Sequence, residues 1–242
     1  MAADDVLLPL DKKTGDLPDH APGLKHLAKV ADDTGPASDP SDASHRAALL
    51  LEQSSRHHEA GDRAGALTAI EAAVTAYRKL AAANGAFAPD LAGSLNKLSV
   101  QRSATGDQAG GLTAMEEAVA AFRELAATYP AAFDADLAMS LNNLSVQRSA
   151  SGDRAGALTA IDEALTLYRE LAATNPVAFT HNLAMSLNNQ SVQSSAAGDQ
   201  AGALTAIEDA VATYRELAAT NPSEFTADLA MSLNGLVAAS SR

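Results

Sequence analysis

The pair Gly-Asp returns along this chain at a nearly constant interval, and this repetition limits the possible folds more than any other feature. The spacings are 45, 46 and 46 residues, and the pairs are Gly61-Asp62, Gly106-Asp107, Gly152-Asp153 and Gly198-Asp199. A unit of this length, copied several times, is typical of a stacked repeat array, because one unit cannot bury its apolar face alone.

Each unit has the pattern of two helices, which the third copy shows most clearly. Leu137, Leu141 and Leu144 lie at i, i+4 and i+7, which makes one stripe of a first helix. A second helix over 154–174 places an apolar set on one face: Ala157, Ile161, Ala164, Tyr168 and Leu171. No segment alternates apolar and polar residues as a half-buried strand does. The sequence therefore predicts an all-α fold.

The residues between the helices support this division. Gly152 suits a left-handed residue that closes the first helix, and Asp153 suits the N-cap of the second. Asn175-Pro176 ends the second helix, because proline cannot continue a helix and restricts the residue before it.

Residues 1–43 differ from the rest and hold five of the nine prolines and nine of the thirty acidic residues. Turn-forming residues dominate this segment, and only 22–31 has the apolar spacing of a short helix. We interpret 1–43 as an N-terminal arm. It is either flexible or docked on the array through Leu24, Leu27 and Val30.

The array is expected to occupy residues 44–242. It divides into helix pairs at about 44–86, 87–132, 133–178 and 179–224, followed by a capping helix at 226–240. The aromatic residues repeat in the same register, at Tyr77, Phe122, Tyr168 and Tyr214 and again at Phe87, Phe133, Phe179 and Phe225. Repeating aromatics indicate core packing rather than a ligand platform, so we expect no nucleotide or flavin cofactor.

Composition excludes several classes of function. The net charge of −13 does not fit a nucleic-acid partner, and the absence of cysteine excludes disulfides and thiolate metal sites. No stretch approaches the roughly 18 apolar residues of a membrane span, and we expect a cytoplasmic protein. The His57–Glu59 cluster lacks zinc-site spacing, and the serines lack a nucleophile elbow. We therefore expect no metal, no catalytic residues and no enzyme activity.

The stretch SLNNLSVQRSASGDRAGALTAIDEAL, from Ser140 to Leu165, resembles the tetratricopeptide repeat (TPR). The family's signature places are taken by Leu141, Leu144, Ser145, Ala157, Ile161 and Ala164. The long period and the LNNL phrase are similar to the kinesin-light-chain-like branch, and similar repeats also follow signalling ATPase modules in bacteria. The resemblance covers about 44–242 and implies a right-handed α-solenoid of antiparallel helix pairs, whose first helices line the inner surface.

Two places depart from the family pattern. Arg102, Arg148 and Ser194 stand where the family has a packing tyrosine. Gln190 stands where Leu98 and Leu144 stand in other copies, which suggests a local weak spot.

The candidate binding residues are asparagines at one place in each first helix: Asn96, Asn142, Asn188 and Asn234, with Ser149 and Ser195 beside them. A carboxamide both donates and accepts hydrogen bonds, which suits an extended peptide backbone. In the resembling family, asparagine at this place clamps the peptide main chain. Alternatively, these side chains bond helix ends or water and recur only because the unit was duplicated.

The sequence thus predicts a non-catalytic protein–protein interaction module that binds an extended peptide in a concave groove. The negative charge favours neutral or basic partners. The alternative is a regulatory sensor or adaptor of a bacterial signalling or biosynthetic system, with the N-terminal arm as an intramolecular pseudo-ligand. The sequence does not predict an oligomeric state.

Overall fold

The structure is a computed structural model that describes residues 40–240. These residues form nine α-helices and one 3-10 turn, Gly85–Phe87, with no strand among them. The helices are α1 (Pro40–Glu59), α2 (Arg63–Ala83), α3 (Ala88–Ala104), α4 (Gln108–Thr128), α5 (Pro130–Ala150), α6 (Arg154–Thr174), α7 (Pro176–Ala197), α8 (Gln200–Thr220) and α9 (Pro222–Ser240). The all-α prediction is confirmed.

The helices stack in order as an α-solenoid. We call α1, α3, α5, α7 and α9 the first helices and α2, α4, α6 and α8 the second helices. Each first helix from α3 to α7 packs against its own second helix and against the preceding one, whereas α9 packs mainly against α8. Helix α1 begins at Pro40, inside residues 1–43, which were predicted to form the arm. Helix α9 begins at Pro222 rather than at 226. The short helix expected at 22–31 lies outside the described residues.

One turn recurs between the helices of each pair. Its glycine has a φ between +76° and +94°, at Gly61, Gly106, Gly152 and Gly198. In this left-handed region glycine is favoured because other residues have a Cβ that collides with the backbone. The following aspartate caps the second helix by accepting a hydrogen bond of 2.9 Å from the backbone N–H three residues later. Both sequence predictions for this turn are confirmed.

The junction between repeats is equally compact. Asn175 ends α6 and also begins α7, because its side chain accepts from the backbone N–H of Ala178 at 3.3 Å. Pro176 occupies the first turn of α7, where its fixed φ suits a helix and its missing N–H costs nothing. Proline therefore both ends the second helix and starts the next first helix.

The core runs along the whole stack between the two helix layers. The second helices supply side chains that are at most 4% exposed, at Ile70, Met115, Ile161, Ile207, Tyr77, Phe122, Tyr168 and Tyr214. The repeating aromatics are therefore packing residues, as expected. None of the described helices has the length and apolar content that crossing a membrane requires.

Candidate functional site: the asparagine ladder

The asparagines of the candidate site connect successive first helices. Three of them hydrogen-bond to a serine 44 residues further along the chain, and we call these bonds the Asn–Ser rungs. Asn96 Nδ2 donates to Ser140 Oγ at 2.7 Å, Ser186 Oγ donates to Asn142 Oδ1 at 3.1 Å, and Asn188 Nδ2 donates to Ser232 Oγ at 2.9 Å.

The spacing of serine and asparagine within the helix explains the rungs. Ser140 and Asn142 are two residues apart, so their side chains point in directions about 200° apart around a helix of 3.6 residues per turn. Ser140 therefore faces α3, and Asn142 faces α7. The phrase Ser-Leu-Asn lets each first helix bond its predecessor through serine and its successor through asparagine.

Exposure of the four asparagines changes along the array. Asn96 is 2% exposed and Asn142 is fully buried, whereas Asn188 is half-buried and Asn234 is exposed. No first helix follows α9 in the described residues, so Asn234 has no serine to bond there. Peptide contact by Asn96 and Asn142 stays a prediction, and their side chains here lie in contacts between repeats.

The rungs use only part of each carboxamide. Asn96 Oδ1, Asn142 Nδ2 and Asn188 Oδ1 are buried and make no hydrogen bond to the described residues. Buried polar atoms of this kind are uncommon, because each one costs the free energy of lost hydration. The ladder therefore retains one unused donor or acceptor in each rung.

Neighbouring polar residues reinforce the contact between α5 and the helices beside it. Asn189 Nδ2 donates to Asn142 Oδ1 at 3.0 Å, and Gln147 Nε2 donates to Ser99 Oγ. Asn189 and the serines of the rungs were not predicted from the sequence as parts of the ladder. The serine two residues before each asparagine was the signal available. Ser149 and Ser195 are half-buried.

The arginines that stand where the family has a packing tyrosine make a second set of contacts. Each of these contacts joins a first helix to the preceding second helix. The Arg102 guanidinium donates to Glu71 at 2.9 Å, and that of Arg148 donates to Glu116 at 3.0 Å.

In the fourth repeat, Ser194 replaces this arginine. The contact there is made by Gln190, which lies one helical turn before Ser194 and whose Nε2 donates to Asp162 Oδ1 at 2.8 Å. Gln190 therefore has a specific partner that the sequence did not predict, and the local weak spot stays a prediction.

Acidic residues share a place near the start of the first helices, at Asp90, Asp136 and Asp228, with Asn182 in the fourth repeat. Burial raises the pKa of the Asp90 carboxyl and that of the Asp136 carboxyl above their usual values. Burial also raises the pKa of Tyr77 to about 12, with a smaller contribution from the charge of Asp90.

Metal-ligating residues are scattered rather than clustered. No group of three or more His, Asp or Glu side chains in the described part of the chain is arranged to hold a metal ion. His57 Nδ1 instead lies 2.8 Å from Asp62 Oδ2, the cap of α2.

Comparison with known proteins supports the fold. No family model matches the sequence, and no curated protein matches it. BtubC (BKLC) from P. vanneervenii is similar in structure, with a TM-score of 0.61 at 21% identity over 74% of this chain and 66% of that one. The chain therefore spans slightly less than two thirds of BtubC.

Two structures of a putative kinesin light chain from Podosopora anserina, with nearly identical TPR-like repeats, are also similar. The first, a variant with a single substitution, has a TM-score of 0.59 at 17% identity over 83% of this chain and 85% of that one. The second has a TM-score of 0.54 at 15% identity over 84% and 97%. The chain has the fold of a TPR-like helical repeat protein.

Proposed function

We propose that the protein is a non-catalytic interaction module that binds an extended segment of a partner protein along the surface formed by its first helices. The observation that carries the proposal is the recurrence of a carboxamide at the same position of successive first helices, with the last of them, Asn234, exposed to solvent. Asn234 is exposed and Asn188 is half-buried, so the peptide contact is expected at the C-terminal half of the array, where the bond from Asn188 to Ser232 has to give way to the peptide.

The chemistry of the ladder favours peptide backbone over particular side chains, because a carboxamide matches the alternating donors and acceptors of an extended chain. The net charge of −13 favours neutral or basic segments at long range. We propose a cytoplasmic protein partner rather than a nucleic acid or a membrane.

The regulatory alternative places the N-terminal arm on the same surface. Residues 1–43 contain four basic and nine acidic residues, a net charge of −5, and the remaining chain has 13 − 21 = −8. Two segments of like charge repel one another, which favours a separate partner over the arm.

The test begins with peptides selected for binding to the full chain from a display library of random extended peptides. Replacing Asn188 and Asn234 by alanine is expected to weaken the selected peptides about tenfold or more, since each bond contributes about 1 kcal/mol net. The matched control is Asn182→Ala, an asparagine on another face of α7. Equal affinity of the double variant, with unchanged helix content, contradicts the proposal. A chain lacking residues 1–39 that binds more tightly than the full chain supports the regulatory alternative.

A further inference from the structure

One side of α9 is exposed along most of its length. Six residues form this stripe, at spacings that place them on one helical face: Ala227, Ala230, Met231, Asn234, Val237 and Ala238. The side chain of Met231 is 51% exposed and that of Val237 is 70% exposed. No charged residue occurs from Leu229 to Ser240, although the chain carries a net charge of −13. The α9 stripe is therefore an uncharged, largely apolar surface on an acidic protein.

The α9 stripe differs from the same face of α1 and α7. Ser191 on α7 donates to the backbone oxygen of Ala203 at 2.8 Å, and this bond holds α7 against its own second helix. Ser54 on α1 makes the same bond to Ala66. Val237 stands at this place on α9 and cannot donate from its side chain. Valine at this place makes the face of α9 more apolar than the same face of α1 and α7.

The residues of the stripe are symmetric about Asn234. Met231 and Val237 lie three residues to either side of it, and Ala230 and Ala238 lie four residues to either side. A second α9 crossing antiparallel at Asn234 therefore brings Met231 against Val237 and Ala230 against Ala238. The two Asn234 carboxamides meet at the centre, where each can donate to and accept from the other.

We propose that two copies of this chain associate through their α9 stripes as an antiparallel, two-fold symmetric dimer centred on Asn234. Such an interface is self-complementary, as two-fold interfaces must be, and a lone asparagine in an apolar helix contact is a known device for fixing register. The small side chains of Ala230 and Ala238 permit close approach of the helices. The uncharged stripe also lets two acidic molecules meet without burying like charges.

The dimer goes beyond the proposed peptide binding and needs no other protein. The dimer and a bound peptide compete for Asn234, whereas Asn188 on α7 lies outside the stripe and stays available to a peptide in either state. The contact is a single helix pair about 20 Å long, at 1.5 Å per residue, so the dimer is expected to dissociate on dilution.

The test uses sedimentation equilibrium of the full chain over a wide concentration range, with far-UV circular dichroism as a check on folding. Met231→Glu with Val237→Glu places glutamates opposite each other in the antiparallel pairing and is expected to weaken the dimer at least tenfold. Met231→Glu with Val237→Lys also introduces two charged residues, but it places opposite charges together and is expected to retain the dimer. Both positions are exposed, so both variants should fold.

Each contrary result overturns the proposal. A wild-type chain that is monomeric at every concentration excludes the dimer and leaves the stripe to a different protein. A dimer that tolerates the two glutamates uses another surface. Loss of the dimer in both double variants excludes the antiparallel pairing, because only that pairing brings position 231 against position 237. Peptide binding through Asn188 remains measurable in every case, so the two proposals can fail separately.

Discussion

The two ends of the array leave chemically different faces exposed. On α3, Leu95 and Leu98 belong to the core cluster that includes residues of the preceding α2. The corresponding places on α1 hold Leu50 and Gln53, and Gln53 is exposed. Helix α1 thus has one polar residue, Gln53, at the place of a packing leucine. A polar outer face is what keeps the terminal unit of a repeat array soluble.

The C-terminal end has no such polar face. The α9 stripe exposes Met231 and Val237, and the Leu229–Ser240 stretch contains no charge. Ala230 is exposed, whereas Ala184 at the same place on α7 is fully buried. Near-copies of one unit are therefore not equivalent, because the neighbours of each copy determine which of its faces are buried. Among the described residues, α1 exposes a polar residue at one end of the stack, and α9 exposes apolar residues at the other.

The largest expected effect comes from removing α9, by ending the chain after Asn221. This exposes Tyr214 and Ile207 on α8, which are 0% and 4% exposed in the intact array. Each such side chain contributes about 1.5–3 kcal/mol when buried, so we expect several kcal/mol of destabilisation and a much lower melting temperature by circular dichroism. Removing residues 1–39 is the control variant, and it should change the melting temperature little. Similar losses of stability from both deletions would contradict the expectation that α9 contributes far more than residues 1–39 do.

The second-largest effect on stability is expected at Asn142, in the middle of the ladder, when it is compared with the terminal Asn234. Asn142→Ala removes the acceptor for Ser186 and Asn189 from a fully buried site, and we expect it to cost about 1–3 kcal/mol. Asn234→Ala, at an exposed place, should be neutral or slightly stabilising because alanine favours helix. Urea denaturation of the two variants, below the concentration at which the chain associates, measures the difference. Equal stabilities would mean that the rungs contribute nothing to stacking.

A smaller effect depends on pH. Because burial raises the pKa of Asp136, the folded protein holds this proton more tightly than the unfolded chain does. This contribution to stability is fully present below the unfolded pKa of about 3.9 and is lost as the pH rises through the folded pKa. Asp136→Asn, which copies Asn182 of the fourth repeat, should raise the melting temperature at pH 7 and lose this advantage toward pH 3. The reciprocal Asn182→Asp should lower it at pH 7.

The smallest effect is expected from changing Gln190, which bonds Asp162 and stands where Leu98 and Leu144 stand in other repeats. Gln190→Leu alone should change the free energy of unfolding by less than about 1 kcal/mol, since it exchanges a half-exposed hydrogen bond to Asp162 for apolar contact. Combining it with Ser194→Arg and Asp162→Glu restores the arrangement of Leu144, Arg148 and Glu116. That triple variant should be at least as stable as the wild type by chemical denaturation. A less stable triple variant would show that the two arrangements are not interchangeable.

Local features of the fold followed from the sequence because they depend on neighbours within a few residues. The Gly152 conformation, the Asp153 cap and the end of the second helix near Asn175-Pro176 were all predicted correctly. The start of α1 at Pro40 was missed, because the turn-forming composition of 1–43 concealed the proline that begins the helix.

The candidate site was predicted less completely. The sequence placed the asparagines on one face of the first helices, but it did not show whether that face meets solvent or the next first helix. Whether Asn142 meets solvent or α7 depends on how far successive repeats rotate and how closely the first helices approach. The structure buries it against Ser186 and Asn189.

The repeat, its period, the two helices of each unit and the Gly-Asp turns follow from the residues alone, because they arise from local backbone preferences and apolar spacing. Packing set which polar side chains face one another across 44 residues, which asparagines remain accessible, and that Gln190 bonds Asp162. A hydrogen bond between repeats needs both partners within about 3 Å, and that distance depends on packing of the whole stack rather than on any single unit.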